Sequence, residues 1–259
     1  MVVRARDGSA GDADYGAIGA GYSGYRRPDP RIGRVVVEAL GGARTVLNVG
    51  AGAGSYEAEE FAVTAVEPSA SMRAQRPGHL VEAIDAVAED LPFADGSFDA
   101  SMTTFSVHQW SDLAAGLREM RRVTRGPVVV LTCDPELVRD FWLYAYAPLV
   151  LDAEARRYPP IAEIGALLGG EVTVTPVAIP ADCTDGFNEA YYARPEMLLQ
   201  PGARQACSAW SFVPAETAGA YAEHLARDLA DGTWDARYGH LRGQPSYEGS
   251  LVLVRAMPG

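Results

Sequence analysis

The chain of 259 residues lacks several features that would place it in a class at once. It has three cysteines, Cys133, Cys183 and Cys207, and their spacing matches no metal-ligand pattern. Such a small and odd count favours a reducing compartment, so we expect a cytoplasmic location. No apolar run approaches the ~20 residues of a membrane-spanning helix. The N-terminus also lacks the apolar core of a signal peptide.

Positive charge is scarce as well. The chain carries 22 Lys and Arg against 34 Asp and Glu, a net charge of −12, and it has no basic block. Nucleic acid and anionic membrane surfaces are therefore disfavoured as partners, which leaves a small molecule, with the chain as a monomer or homodimer. The hydrophobic share of 48% fits one large α/β domain, or a core with a lid.

The stretch VLNVGAGAGSYE, which begins at Val46, is the feature around which the rest of the chain is organised. Its apolar part predicts a short buried strand. Gly50, Gly52 and Gly54 permit a tight turn and leave no Cβ to block a ligand. A helix starting at Ser55 would direct its free N–H groups at this turn. The pattern predicts a nucleotide-sized site at the carboxyl end of a strand, although a glycine turn without a ligand is the alternative.

A second apolar strand follows and ends in Glu67, about 20 residues beyond the glycines. An acid at this place can accept hydrogen bonds from both ribose hydroxyls of a nucleotide, whereas a solvated charge at a strand end is the alternative. Two ligands fit, a dinucleotide and S-adenosylmethionine. The short Gly-x-Gly-x-Gly, in place of Gly-x-Gly-x-x-Gly, argues against a dinucleotide oxidoreductase.

Four motifs in order, VLNVGAGAGSYE, AVEPSASM, AEDLPFADGSFDA and FSVHQW, resemble those of class I S-adenosylmethionine-dependent methyltransferases, in particular the small-molecule branch often called type 11. The resemblance is strong over residues 15–135 and weaker beyond them. It implies an α/β fold with a Rossmann-like, seven-stranded, mostly parallel sheet, helices on both faces and a helical lid. It also implies S-adenosylmethionine as cofactor and S-adenosylhomocysteine as product.

The resemblance assigns cofactor contacts to fifteen positions. Asn48 departs from the family, which usually has an acid there for the ligand's amino group, and an amide oxygen accepts less strongly than a carboxylate. Val87 stands where an acid commonly reaches the adenine. The implied contacts are Tyr15, Tyr22, Arg26, Asn48, Gly50, Ala51, Gly52, Glu67, Pro68, Met72, Val87, Ala88, Glu89, Phe105 and Ser106.

The element pattern predicts a helix over residues 30–40, a third strand within 80–93, and a helix from Pro68 to Arg76. We expect residues 1–135, 170–180 and 247–259 to form the cofactor-binding core of a single domain. Residues 136–169 and 181–246 would form helical insertions that act as the lid. Aromatic side chains are dense there, and they either contact the acceptor or pack the lid's own core. The predicted acceptor contacts are His108, Trp110, Trp142, Tyr146 and Tyr192.

The chemistry expected from the resemblance needs little from the protein beyond alignment. A sulfonium methyl is already electrophilic, so proximity to a nucleophile can suffice. His108 is the candidate catalytic base if the nucleophile arrives protonated, and a pocket-wall histidine is the alternative. We predict no metal, because no residue set has ligand spacing. The leading hypothesis is a methyltransferase for a small molecule in bacterial natural-product biosynthesis. The alternative is a non-methylating reaction on the same fold, such as a cyclisation.

Overall fold

The computed structural model describes residues 22–259, with no side-chain detail for Tyr22 and Ser23, so the predicted contacts of Tyr15 and of the Tyr22 side chain lie outside the described part. The helices are α1 (Tyr22–Tyr25), α2 (Pro30–Leu40), α3 (Ala70–Arg73), α4 (Leu113–Val123), α5 (Pro148–Arg157), α6 (Ile161–Leu168), α7 (Pro201–Gln205), α8 (Ala215–Asp231) and α9 (Thr233–Tyr238). The strands are β1 (Thr45–Val49), β2 (Ala62–Val66), β3 (Ala100–Thr104), β4 (Val128–Cys133), β5 (Glu171–Pro176), β6 (Ile179–Pro180), β7 (Ser246–Tyr247) and β8 (Leu251–Met257). Short 3-10 turns cover Val107–Gln109, Val138–Asp140, Trp142–Ala145, Asn188–Tyr191, Pro195–Leu199, Ser208–Phe212 and Gly239–Gly243.

Six strands form the main sheet in the order β2-β1-β3-β4-β8-β5. The first four run parallel, and β8 pairs antiparallel with both β4 and β5. The mostly parallel α/β fold is thus confirmed. Because β1, β2 and β3 are neighbours with the same direction, their carboxyl ends meet at one edge of the sheet, which is where such folds bind ligands. Strands β6 and β7 pair separately.

The described main sheet has one strand fewer than the seven expected. The third strand predicted within residues 80–93 is reduced to a single bridge between Val66 and Ile84. This segment would lie at the sheet edge, where Val81 and Ile84 remain 46% and 42% exposed. A longer strand there would gain little apolar burial, so the segment forms loops instead.

The helix predicted to start at Ser55 is wrong. Residues 55–61 contain turns but no helix, and Gly54 and Tyr56 have positive φ values of 100° and 60°. A right-handed helix excludes such values. The buried Tyr56 ring is held by its hydroxyl, which donates to Asp185 Oδ2 at 2.8 Å, and this tertiary contact stabilises the unusual backbone. The helix expected from Pro68 to Arg76 is the four-residue α3.

Helices cover both faces of the sheet, as predicted. On one face α2 has the bounds expected from its prolines and glycines, with Asp29 accepting from Arg31 N at its start. Its buried residues pack against β3 and β4. On the other face, buried residues of α4 and α6 pack together and against the sheet. Within residues 22–259, no helix combines the length and apolar character needed to cross a bilayer.

The rest of the helical material gathers over the sheet's carboxyl edge around a group of buried aromatic side chains, among them Trp142 and the fully buried Trp234. Helix α6 falls in the range predicted for the lid, 136–169, but it packs on α4 and β8 as part of the sheet's cover. The division into a core and lid insertions at the stated boundaries stays a prediction.

Candidate functional site

A cleft of about 750 Å³ opens where β1, β2 and β3 end, and we call it the first cleft. All of the predicted cofactor residues from Gly50 to Ser106 line it. They are joined by Trp110, which was predicted as an acceptor contact, and by four residues that were not predicted as contacts. The full lining is Gly50, Ala51, Gly52, Ala53, Ser55, Glu67, Pro68, Met72, Val87, Ala88, Glu89, Thr104, Phe105, Ser106, Gln109 and Trp110.

The glycine loop makes the floor of the first cleft. Gly50 and Gly52 have φ values of 67° and 52°, in the left-handed region that favours glycine. A Cβ on Gly50 would collide with the Ser106 side chain, and one on Gly52 would lie 3.3 Å from Met72 Cε. The loop therefore keeps its shape and its open surface only with glycine at these positions.

Glu67 closes one side of the first cleft and is 7% exposed. Its two carboxylate oxygens accept hydrogen bonds from Gly52 N and Ser69 N, both at 2.8 Å. Burial raises the pKa of this carboxyl, and the two backbone bonds partly oppose the rise. Each carboxylate oxygen has a second lone pair, so Glu67 keeps capacity to accept from the hydroxyls of a bound ribose.

Glu89, which also lines the first cleft, is hydrogen-bonded to the loop before α4. Glu89 Oε1 accepts from Ser111 N at 2.8 Å and from Asp112 N at 3.1 Å, so this acid anchors the loop as well as lining the cleft. Trp110 Nε1 donates to Ser106 Oγ at 3.0 Å. Trp110 was predicted as an acceptor contact, but the structure places it in the first cleft with the predicted cofactor residues.

Asn48 is fully buried and does not line the first cleft. Its Nδ2 donates to Glu57 Oε1 at 2.9 Å, and Glu57 pairs with Arg76 at 2.7 Å. Asn48 Oδ1 has no hydrogen-bond partner among the residues described. An acid thus lies beside the position where the family usually has one. Sequence reasoning missed Glu57 and Arg76, because the turn that carries Glu57 was expected to be helical.

A second cleft of about 450 Å³ shares Phe105 with the first. Phe105 has a φ of 51°, a strained value for a bulky residue, and its N–H donates to Leu131 O at 2.9 Å. Strain of this kind concentrates at functional sites. The full lining of the second cleft is Arg26, Phe105, His108, Glu154, Arg157, Tyr158, Phe187, Asn188, Ala206, Cys207, Ser208 and Ala209.

Arg26 lies over the Phe105 ring at the border of the two clefts, 5.0 Å from the ring centroid. It lines the second cleft rather than the first. Its Nε donates to Asp185 Oδ1 at 2.5 Å, and both side chains are nearly buried. Asp185 also accepts from Tyr56, so one buried carboxylate holds both the arginine and the turn after the glycine loop.

His108, the predicted acceptor contact and candidate base, lines the second cleft. Its ring lies 4.6 Å from that of Tyr158, centroid to centroid. Its Nδ1 has no hydrogen-bond partner within residues 22–259. Burial lowers the pKa of His108 well below its usual value, and the charges of Arg157 and Arg26 lower it further. The ring is therefore neutral at physiological pH.

The predicted lid aromatics do not reach either cleft. Trp142 Nε1 donates to Tyr192 O at 3.1 Å, Tyr192 OH donates to Gln244 O at 2.7 Å, and Tyr146 OH donates to Asp228 Oδ2 at 2.8 Å. The three rings belong to a buried apolar cluster and line neither cleft, so their contact with an acceptor stays a prediction. A high density of aromatic residues in a sequence does not show whether the rings contact a ligand or fill a core.

Sequence reasoning also missed the polar residues of the second cleft, Glu154, Arg157 and Asn188. Each sits in a stretch without a recognisable motif, and only the folded chain brings them together. Among the residues that the structure describes, no group of three or more His, Cys, Asp and Glu side chains is arranged to hold a metal ion.

Three comparisons place the chain among known proteins. The family model described as "Methyltransferase domain" matches residues 47–130. A demethylmenaquinone methyltransferase of Beutenbergia cavernae is 39% identical over 102 residues, which is 36% of this chain and 42% of that protein. The chain thus spans less than half the length of the first curated relatives that it matches.

Two solved structures cover more of the chain. A candidate methyltransferase from an antibiotic biosynthesis pathway of Anabaena variabilis ATCC 29413 is 30% identical, with a TM-score of 0.84, over 90% of this chain and 98% of that one. The [4+2]-cyclase SpnF is 18% identical, with a TM-score of 0.53, over 94% of this chain and 92% of that one. At this identity the cyclase is evidence for the fold alone.

Proposed function

Since the chain belongs to the class I S-adenosylmethionine-dependent methyltransferases, we propose that it transfers a methyl group to a small-molecule acceptor. The observation that carries this proposal is the pair of clefts that meet at Phe105. The first cleft has the lining that a nucleoside needs, and the second is lined by the polar and charged side chains that could orient an acceptor. The antibiotic-pathway relative supports a role in natural-product biosynthesis.

The residues of the first cleft fit S-adenosylmethionine. Gly50 and Gly52 leave space that a Cβ would fill, and Glu67 would accept from the ribose hydroxyls. Met72 and Trp110 would cover apolar parts of the adenosyl group. Asn48 Oδ1 has no partner among the residues described but does not line the first cleft, so the ligand's amino group would reach it only through water.

S-adenosylmethionine supplies an electrophilic methyl group when it is bound. The chain's part is to hold an acceptor in line with that group and to exclude water. Phe105, at the shared wall, sets the border between the two ligands. His108 and Arg26 line the acceptor side, and the ion pair with Asp185 fixes where the Arg26 guanidinium lies.

The test is release of S-adenosylhomocysteine when the purified protein is incubated with S-adenosylmethionine and a pool of phenols, amines, quinols and carboxylic acids. We expect release that depends on one component of the pool, together with a methylated product. A component converted to an unmethylated product, without S-adenosylhomocysteine, would contradict methyl transfer and favour the non-methylating alternative. No conversion of any component would count against a small polar acceptor.

A further inference from the structure

The second cleft contains a carboxylate outside every motif of the family resemblance, that of Glu154 on α5. Asn188 Nδ2 donates to Glu154 Oε2 at 2.7 Å. Trp210 Nε1 donates to Asn188 Oδ1 at 3.0 Å, which fixes the orientation of that amide. One carboxylate oxygen is thus held firmly, while Oε1 has no hydrogen-bond partner in the part of the chain that the structure describes.

The neighbouring buried acid, Glu189, behaves differently. Both of its oxygens accept from Ser250 N at 3.0 Å, and Oε2 also accepts from Ser250 Oγ at 2.9 Å. Glu189 borders a third, smaller cavity, which Glu154 also lines. Its bonds are all made within the protein. Glu154, in contrast, lines both cavities, and Asn188 Nδ2 supplies the one hydrogen bond found to its carboxylate within residues 22–259.

The surroundings make Glu154 a better proton acceptor than His108. Burial raises the pKa of Glu154, although the Asn188 hydrogen bond and the charges of Arg157 and Arg26 partly oppose the rise. The pKa of His108 moves the other way, well below its usual value. A group accepts a proton more effectively as its pKa rises toward the operating pH, so the same burial strengthens the acid's conjugate base and weakens the imidazole.

We propose that Glu154 binds the nucleophilic N–H or O–H group of the methyl acceptor through Oε1 and takes its proton during transfer. The inference rests on the proposed function and narrows it to acceptors that are methylated on nitrogen or oxygen. The rings of Phe105, Phe187 and Tyr158 line the same cleft, so the acceptor class is a phenol or an aromatic amine.

The step balances without another reactant. A bond forms between the acceptor's nitrogen or oxygen and the methyl carbon, the sulfur–methyl bond breaks, and its electron pair stays on sulfur. The proton released by the acceptor goes to the Glu154 carboxylate and then to solvent. Glu154 is a catalytic residue in this scheme, because it touches the reacting group itself.

Three isosteric probes test the inference, namely p-cresol, p-toluidine and p-xylene, which differ only in one OH, NH2 or CH3 group. Their affinities for the protein loaded with S-adenosylhomocysteine are measured by ligand-observed NMR. We expect p-cresol or p-toluidine to bind the parent at least about tenfold more tightly than p-xylene, the scale of a hydrogen bond to a charged group. Which of the two binds more tightly distinguishes hydroxyl from amine acceptors.

The variant Glu154→Gln should reduce this preference to under about threefold. Its amide oxygen takes the Asn188 hydrogen bond, so an NH2 donor then faces the N–H of p-toluidine, and p-cresol can only accept from it in an uncharged and weaker bond. Glu163→Gln, an exposed change of the same kind on α6, should keep the parent's preference. Should Glu154→Gln fail to fold by thermal melting, Glu154→Asp retains the charge but withdraws the oxygen by one methylene, and we expect a preference at least threefold below the parent's.

The possible outcomes distinguish a failure of the proposed function from a failure of the role proposed for Glu154. Failure of the parent to bind S-adenosylhomocysteine overturns the proposed function, and this inference with it. Normal S-adenosylhomocysteine binding with equal affinity for the three probes overturns this inference alone. So does a preference that a folded Glu154 variant leaves unchanged.

Discussion

The two clefts that meet at Phe105 are built by different means. The first is lined by a glycine turn, by backbone and by small or apolar side chains that follow three adjacent strands, and Glu67 is held in it by two backbone N–H groups. The second is lined by charged and polar side chains from distant parts of the chain, with Arg26, Glu154 and Arg157 close together. The first therefore depends on backbone conformation, whereas the second depends on which side chains are charged.

Breaking the backbone conformation should have the largest effect. Gly52→Val places a β-branched side chain at a positive φ of 52°, inside the cleft and against Met72. We expect binding of S-adenosylmethionine to weaken by more than about 100-fold in calorimetry, since both strain and bulk act where the ligand lies.

Gly41→Val is the matched control for that change. Gly41 also has a positive φ, of 63°, but nothing lies near its Cβ position and it is outside both clefts. It should lower the melting temperature through strain and leave ligand affinity unchanged. Equal losses of affinity in the two variants would show that strain alone, and not the shape of the first cleft, governs binding.

The buried acid Glu189, which lines a cavity together with Glu154, should affect the pH dependence of stability. Burial raises the pKa of Glu189 to about 7, above that of the unfolded chain, so the folded state holds a proton that the unfolded state loses. The contribution of Glu189 to the free energy of unfolding should therefore fall as pH rises from about 4.5 to 7, while the lowered pKa of His108 acts in the opposite direction below its usual value, so the effect of Glu189 is read from the difference between the parent and a variant. Glu189→Gln, which is uncharged throughout, should flatten this fall by about 1–2 kcal/mol in urea unfolding between pH 5 and 8.

The exposed variant Glu163→Gln should keep the slope of the parent. Some slope should also remain in Glu189→Gln, because burial raises the pKa of Glu154 in the same direction. An identical pH dependence of stability in the parent and in Glu189→Gln would mean that the Glu189 carboxyl is solvated, contrary to the structure.

The smallest effect is expected at His108. Burial lowers the pKa of His108 well below its usual value, so the ring is neutral near physiological pH and should not produce a titration step there. We expect His108→Ala to slow single-turnover methylation only a few-fold and to leave the pH–rate profile above pH 6 unchanged, with His240→Ala as a surface control. A loss of about 10²–10⁴-fold would restore His108 as the base.

The fold could be predicted largely because its signals are local. Strands β1 and β4 are short apolar runs, and α2 is bounded by prolines and by Gly41. The wrong prediction of a helix at Ser55 arises because a tertiary contact determines the backbone conformation there. Tyr56 adopts a left-handed conformation because Asp185, 129 positions later in the chain, holds its hydroxyl, and no propensity shows that.

The two clefts differ in the same way. The cofactor residues from Gly50 to Ser106 follow strands whose carboxyl ends must meet, so motif and topology place them together. The second cleft joins Arg26 to residues as distant as Ala209, and no period or spacing in the sequence connects them. Glu154 has no sequence signal of its own, and its surroundings become visible only when Asn188 is placed beside it.

The central claim is that the first cleft binds S-adenosylmethionine rather than a dinucleotide, and calorimetry of the parent protein tests it most directly. Titration with S-adenosylmethionine, S-adenosylhomocysteine and NAD should give saturable binding for the first two and none for NAD, because the short glycine loop and Glu67 fit one nucleoside rather than two. Tight binding of NAD without a signal for S-adenosylmethionine would contradict the account.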